Sequence, residues 1–330
     1  QQLRQTSPAP VPQQDTDLQE SPFWLLLQPL PATQPIRIEF PSRHAYSLSC
    51  WNANTLQSLG AASRTTPPQG SILPVRAGFA IDPSGAPALL CRTVLVGPGR
   101  ISALQWDAAE LSSRELQFHR GSGLLDGGIL VLALFTLIAG FINRNRTYIL
   151  FAAWLVVNLR MAALSMGWDQ QWLGQTIPFE WQQTMRPLTL ALYYMVTFTL
   201  FTSLFKEELS VVGYKILINA AKWSCPPLLL LALTLPYANF LPLIWVFTGL
   251  GVAILLFMLT RILLRTQSRV ALWYAASIGI ALFASLYEVA AAALGLKGWI
   301  GSFNSLTAAL ASSLLASLAI AEQMRQAHLQ

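Results

Sequence analysis

Long apolar segments crowd the chain after residue 123, and they limit what it can fold into more than any other feature. A bilayer span needs about 20 mostly apolar residues. Segments of that kind lie near 124–142, 147–166, 187–205, 216–236, 243–264, 270–294 and 303–321. Seven helices crossing a membrane follow from them. The fourth is the least regular, because Lys222 and Pro226-Pro227 interrupt it. Membrane helices tolerate such breaks where neighbours satisfy the freed carbonyls. Only 11% of the 330 residues are charged, and residues 1–120 hold 17 of those 36 charges. The chain therefore divides into a water-soluble head and a lipid-embedded body.

Basic residues between the segments set an orientation. Arg144 and Arg146, then Lys206 and Lys215, then Arg261, Arg265 and Arg269, and finally Arg325 fall on one side. The other side has only Arg120, Arg186 and Lys297 near span ends. Positively charged loops stay in the cytoplasm, which places the head outside and the C-terminus inside. An exported head implies a leader removed ahead of Gln1. The expected location is a bacterial inner membrane, crossed several times, with a periplasmic N-terminus. Trp168, Trp172, Trp181 and Trp299 gather on the outer side. Anchoring at the lipid–water boundary explains such a cluster. Trp168 and Trp172 also stand as ligand-binding candidates there.

Residues 1–21 read as a disordered lead-in rich in Pro and Gln, with nothing to bury. From residue 23 short apolar runs appear at 23–27, 36–40, 46–51, 71–75, 88–96 and 101–106, separated by Pro, Gly, Ser and Asn. Ile36-Arg37-Ile38-Glu39-Phe40 alternates strictly, the period of a strand with one wet face. The fold class is thus a membrane protein: a small β-sandwich or jelly-roll periplasmic domain (22–120), then an all-α bundle of seven transmembrane helices (121–322). Residues 323–330 begin a cytoplasmic helix.

Cys50 and Cys91 lie in expected strands of the head, and Cys225 lies in the fourth span. In an oxidising compartment the first two could pair, and closing a loop of about 40 residues adds roughly 3–4 kcal/mol. Two separate buried thiols are the alternative. Arg160 and Glu288 are the notable charges inside spans. Each lies seven residues before a span end, so each sits about 10 Å below the outer surface at 1.5 Å per residue. Opposite charges at matched depth can pair, which lowers the cost of holding them in lipid. Such a pair would pin helix packing, or would break and reform during signalling or border a ligand cavity; the remaining alternative is that the two do not meet. Ala308, Ser312 and Ala316 form a small-residue face on the seventh span. That face suits close packing inside the bundle, or a homodimer seam leading into a cytoplasmic coiled coil.

Catalytic patterns are absent from the sequence. His44, His119 and His328 have no metal-ligand spacing, and there is no nucleophile elbow or phosphate-binding loop. No cofactor or metal is expected. The scattered net charge of +6 has no nucleic-acid footprint.

Four stretches resemble a known family. They are Ser21-Pro22-Phe23-Trp24 at the head's opening and Gly123-Leu124-Leu125-Asp126-Gly127-Gly128 entering the first span. The basic turn Asn143-Arg144-Asn145-Arg146-Thr147-Tyr148 and the span exit Ala163-Leu164-Ser165-Met166-Gly167-Trp168 complete the set. Together they resemble the bacterial seven-transmembrane receptors with diverse intracellular signalling modules. The resemblance covers roughly 22–325 and is strongest over 121–205. It implies a head similar to carbohydrate-binding jelly rolls, with Trp51 and Trp106 as candidates to stack on a sugar. Burial in the sandwich core is the other fate open to those two. It also implies a cytoplasmic output of the GGDEF, EAL, histidine kinase or phosphatase kind, and hence cyclic-di-GMP signalling among the outcomes. The stretch up to Gln330 contains no such domain, so the output is expected beyond it or on a separate partner. A scaffold that recruits an enzyme is the alternative reading. A transporter is a weaker one, since no inverted repeat accompanies Pro226-Pro227.

Overall fold

The computed structural model describes residues 14–15, 22–42, 45–64, 66–75, 78–95, 100–165, 171–172, 175–294 and 305–329. Its residues cluster into two units. One contains 1–122, 165–182 and 286–301, and the other contains 123–164, 183–285 and 302–330.

The first unit is an antiparallel β-sandwich. A five-stranded sheet runs in the order β2 (Phe23–Leu27), β9 (Leu89–Leu95), β4 (Ala45–Asn52), β5 (Ser58–Ser63), β6 (Gln69–Gly70). A four-stranded sheet runs β11 (Leu104–Asp107), β3 (Ile36–Phe40), β8 (Gly78–Ile81), β7 (Ile72–Val75). β1 (Gln14–Asp15) pairs with β10 (Arg100–Ile101). Side chains at every second position meet between the two sheets: Leu27, Ile38, Phe40, Leu48, Cys50, Ile72, Phe79, Ile81, Leu89, Cys91 and Leu95. Period-two burial is clearest in β9, where Leu89, Cys91, Thr93 and Leu95 are buried and the residues between them are not. This is the pattern an antiparallel strand with one dry face requires.

Gly60 and Gly70 sit opposite each other in the β5–β6 pairing. A Cβ on Gly60 would come within 2.4 Å of the Gln69 carbonyl oxygen, so only glycine fits this crossing. The weak apolar content of β5, Ser58-Leu59-Gly60-Ala61-Ala62-Ser63, hides it in a sequence reading.

The helices among the described residues are α1 (Ala108–Ile142), α2 (Arg146–Ser165), α3 (Phe179–Leu204), α4 (Lys206–Val212), α5 (Lys215–Trp223), α6 (Cys225–Thr234), α7 (Tyr237–Thr266), α8 (Arg269–Leu294) and α9 (Ser305–Leu329). Among the described residues, five stretches are long and apolar enough to cross a membrane: Ala108–Ile142, Arg146–Leu164, Thr184–Leu204, Ile216–Thr234 and Asn239–Thr266. Shorter apolar stretches lie in α8 (Arg269–Phe283) and α9 (Ala308–Glu322).

Three features depart from the sequence reading. α1 begins at Ala108, sixteen residues before the first expected span. Its opening residues are good helix formers but polar, so hydropathy passes over them. The fourth span is two helices, α5 and α6, meeting at Ser224. Pro226 and Pro227 supply no amide hydrogen for the preceding turn, while the Ser224 hydroxyl donates to the Ala221 carbonyl at 2.7 Å. Finally, a small hairpin, β12 (Gln171–Trp172) with β13 (Gln175–Thr176), precedes α3.

The bundle core is rich in aromatics. Phe201 of α3 and Phe205, between α3 and α4, meet Tyr274 of α8, with Phe205 edge-on to Tyr274 at 5.6 Å between ring centroids. Gly251 of α7 lies under Tyr194 and Phe198, where a Cβ would come within 2.8 Å of the Tyr194 ring. The α3 and α7 backbones approach closely there because that side chain is missing.

Candidate functional site: the helix junction, the outer sheet face and the polar bundle core

The sandwich is joined to the first long helix without a linker. β11 ends at Asp107 and α1 starts at Ala108. The Ala108 amide donates to the Pro35 carbonyl at 2.9 Å. Gln105 bonds the backbone of Leu30 twice, accepting from its amide at 2.7 Å and donating to its carbonyl at 3.0 Å. The Trp106 indole N–H donates to Oε2 of Glu39 at 2.8 Å. In the second turn of the helix, the Arg114 guanidinium lies 4.4 Å from the centre of the Trp106 ring, and Glu110 holds it at 2.9 Å. Leu111, fully buried, closes a small second core with Val75, Ala80 and Trp106.

That second core lies on the face of the four-stranded sheet turned away from the sandwich interior. The alternation of β3 implies that this face is wet. The structure corrects this at Glu39, which is only 1% exposed. Trp106, whose indole N–H bonds its carboxylate, lies against it. A buried carboxylate needs such partners, and the indole N–H is one of them. Leu111, Arg114 and Glu39 were not singled out from the sequence. An isolated Leu in a polar helix start, with Glu and Arg four residues apart, was the available signal.

On the opposite side of the head, the five-stranded sheet presents its own outer face. Trp24 of β2 and Trp51 of β4 stack there, with ring centroids 5.8 Å apart and planes 29° from parallel. Trp24 is 44% exposed. Directly behind this face, Cys50 and Cys91 are opposed across β4 and β9 and are joined by a disulfide, with Cα atoms 4.1 Å apart. Both cysteines face the sandwich core.

In the bundle, polar side chains link α2, α3, α8 and α9. The Asn158 amide donates to the Ser313 hydroxyl at 3.1 Å. Ser277 Oγ lies 2.7 Å from the Ser312 carbonyl and 2.9 Å from its hydroxyl. Trp154 donates to Thr197 at 3.2 Å, and Thr147 shares a hydrogen bond with Ser203 at 2.8 Å. Each such bond contributes about 0.6 kcal/mol in a membrane, so together they select one packing rather than dominate stability.

The residues expected from sequence distribute as follows. Trp51 lies on the outer sheet face with Trp24, and Trp106 lies at the helix junction, outside the sandwich core. Trp172 is in the β12 hairpin, partly buried. Trp168 lies outside the described residues. Arg160 is buried in α2, while the Glu288 side chain lies outside the described residues, so their pairing is not described either. Ala308, Ser312 and Ala316 are buried, with Ser312 against α8. Among the described residues, no group of three or more His, Cys, Asp or Glu could hold a metal ion.

Comparison with known proteins adds one positive finding. No curated protein and no solved structure matches the chain. A family model described as "7TM diverse intracellular signalling" matches residues 121–323, which is most of the chain and all of the bundle. With its strand-rich head and its apolar helices, this multi-pass membrane protein belongs to the 7TM diverse intracellular signalling family.

Proposed function

We propose that the chain is the sensory module of a bacterial inner-membrane receptor. Residues 22–120 form its periplasmic head, 121–322 its seven-helix membrane body, and 323–330 the start of a cytoplasmic signalling helix. The head receives a small-molecule ligand, a carbohydrate by family resemblance. The output is an enzyme domain of the GGDEF, EAL or histidine kinase kind, which works as a dimer. The chain itself catalyses nothing.

The observation that carries this reading is the rigid passage from β11 into α1. A linker of flexible residues would let the head move without consequence for the helix. Here a backbone bond, a buried leucine, an indole–carboxylate bond and a cation over the indole fix the first turns of α1 to the sheet. A change in the sheet is therefore passed to α1 as a rotation or displacement. Arginine-rich loops support the inward placement of the tail, and α9 continues as helix to Leu329. The ligand must favour one of two packings, since equal affinity for both shifts nothing.

The test is a phase experiment. A diguanylate cyclase domain is fused after Leu329, and alanines are inserted in α1 between Phe118 and His119. Each residue rotates the downstream helix by about 100°. One or two insertions are expected to change cyclic di-GMP severalfold, and seven, which return the phase to within about 20°, to restore it. Output that ignores insertion number would count against transmission through α1.

The Arg160–Glu288 pair belongs to the same proposal. Arg160→Glu or Glu288→Arg alone is expected to reduce folded protein in the membrane to less than a third. The double swap is expected to recover at least half of the loss. A double variant no better than the worse single one removes the pair.

A further inference from the structure

On the outer face of the five-stranded sheet, Arg92 of β9 has no acidic partner among the described residues. Arg92 lies in one cross-strand row with Trp24 of β2 and Ser49 of β4. The next row on the same face holds Leu26, Leu90 and Trp51. Trp24 and Trp51 come from strands on either side of β9, so their stacked rings meet above β9, beside Arg92. Arg114 pairs with Glu110 and His119 with Glu115 in α1, and Arg325 pairs with Glu322 in α9.

We propose that this face binds a ring that has an apolar face and bears a carboxylate. The ring lies on the Trp24–Trp51 strip and the carboxylate pairs with Arg92. The proposal rests on the head being the sensing part, and goes further by naming the ligand's chemistry. Indole faces are apolar and rich in π-electron density, so they accept the C–H face of a pyranose or an aromatic ring. The guanidinium fork matches the two oxygens of a carboxylate. A neutral ring would remove water from Arg92 without replacing those hydrogen bonds, at a cost in affinity.

The surroundings fit a small ligand rather than a charged surface. The other outward side chains of these strands, including Leu26, Leu90, Val94, Ser47 and Ser49, carry no charge. A single basic residue attracts an anionic membrane only weakly. From the core side, the Cys50–Cys91 disulfide ties β4 to β9 beneath the platform. The two strands that supply Trp51 and Arg92 are thus held in register before anything binds, which lowers the ordering cost of binding.

The experiment is calorimetric titration of the full chain in detergent micelles with three probes: tetragalacturonate, indole-3-carboxylate and neutral maltotetraose. Saturable binding of at least one acid is expected, at least tenfold tighter than maltotetraose. Tetragalacturonate alone assigns a sugar acid, indole-3-carboxylate alone assigns an aromatic acid, and either supports the proposal. Arg92→Gln is expected to weaken the acid at least tenfold, Arg92→Lys less, and Trp51→Ala at least tenfold. Failure of both acids to bind, maltotetraose binding as tightly, or unchanged affinity in Arg92→Gln would each overturn it. The probe comparison uses the unaltered chain, so it decides the matter even where a variant does not fold. Binding is read without any output domain, so failure here and failure of the α1 phase experiment are separate results.

Discussion

Removing the disulfide, as Cys50→Ala with Cys91→Ala, is expected to destabilise the head by about 4 kcal/mol. The bridge closes a loop across a sequence separation of 41 residues. In the chain-entropy model a loop of that length restricts the unfolded state by about 4 kcal/mol. Alanine avoids leaving two hydroxyls in a core where both cysteines are 0% exposed. For a domain of this size the loss corresponds to a melting temperature lower by about 15 °C or more. The measurement is thermal unfolding of the full chain in micelles, followed through the sheet signal and the helix signal separately. The sheet transition should fall and the helix transition should stay. An unchanged sheet transition would show that sandwich packing alone holds β4 against β9. The site matters because both are central strands of the five-stranded sheet.

Leu111→Asp is expected to release the start of α1 from the sheet. The leucine is fully buried against Val75, Ala80 and Trp106. Losing a buried leucine costs about 2–5 kcal/mol, depending on how far the site collapses. An aspartate adds an unpaired carboxylate to that buried core, which further disfavours the docked state. Amides of residues 108–116 should then exchange with solvent about a thousandfold faster, the equivalent of about 4 kcal/mol. The sandwich amides of β4 and β9 should keep their protection. Leu111→Met, which conserves volume, should cost less than about 1.5 kcal/mol and serves as control. Equal protection in Leu111→Asp and the unaltered chain would mean that the hydrogen bonds of Ala108 and Gln105 suffice to hold the helix. In the fused reporter, Leu111→Asp should also blunt the dependence of output on insertion phase.

The legible parts of the fold were those written in local pattern. β2 and β3 occupy the residues that their apolar runs mark, and β4 and β9 lie within a residue of theirs. Apolar stretches mark the long helices to within a turn at most ends, because a membrane imposes a length that sequence must meet. The irregular fourth span showed itself through Pro226-Pro227, and the two helices meet within two residues of it. β5 and β8 were missed. β5 is small and polar, and β8 is only four residues, Gly78–Ile81, so neither carries a period. The first turns of α1 were missed for the opposite reason: their helical signal is real, but a search for apolar runs does not register it.

The candidate sites were legible as residue types and hardly at all as places. Trp51 and Trp106 look alike in sequence, each near the end of a strand. Only the sheet registers separate them, setting Trp51 beside Trp24 on an outer face and Trp106 under Arg114 at the helix junction. The partners Glu39 and Trp106 are 67 residues apart, and Asn158 and Ser313 are 155 apart. No local propensity reports such pairs, since they form only when strand order or helix packing brings distant segments together. By itself the sequence determined a membrane body, a strand-rich head and a charge bias across the loops, because each depends on composition or on a period along the chain. Which face of each sheet is dry, which tryptophan is open, and what holds α1 to the head were decided by the tertiary structure, because burial is a property of neighbours that sequence order does not name.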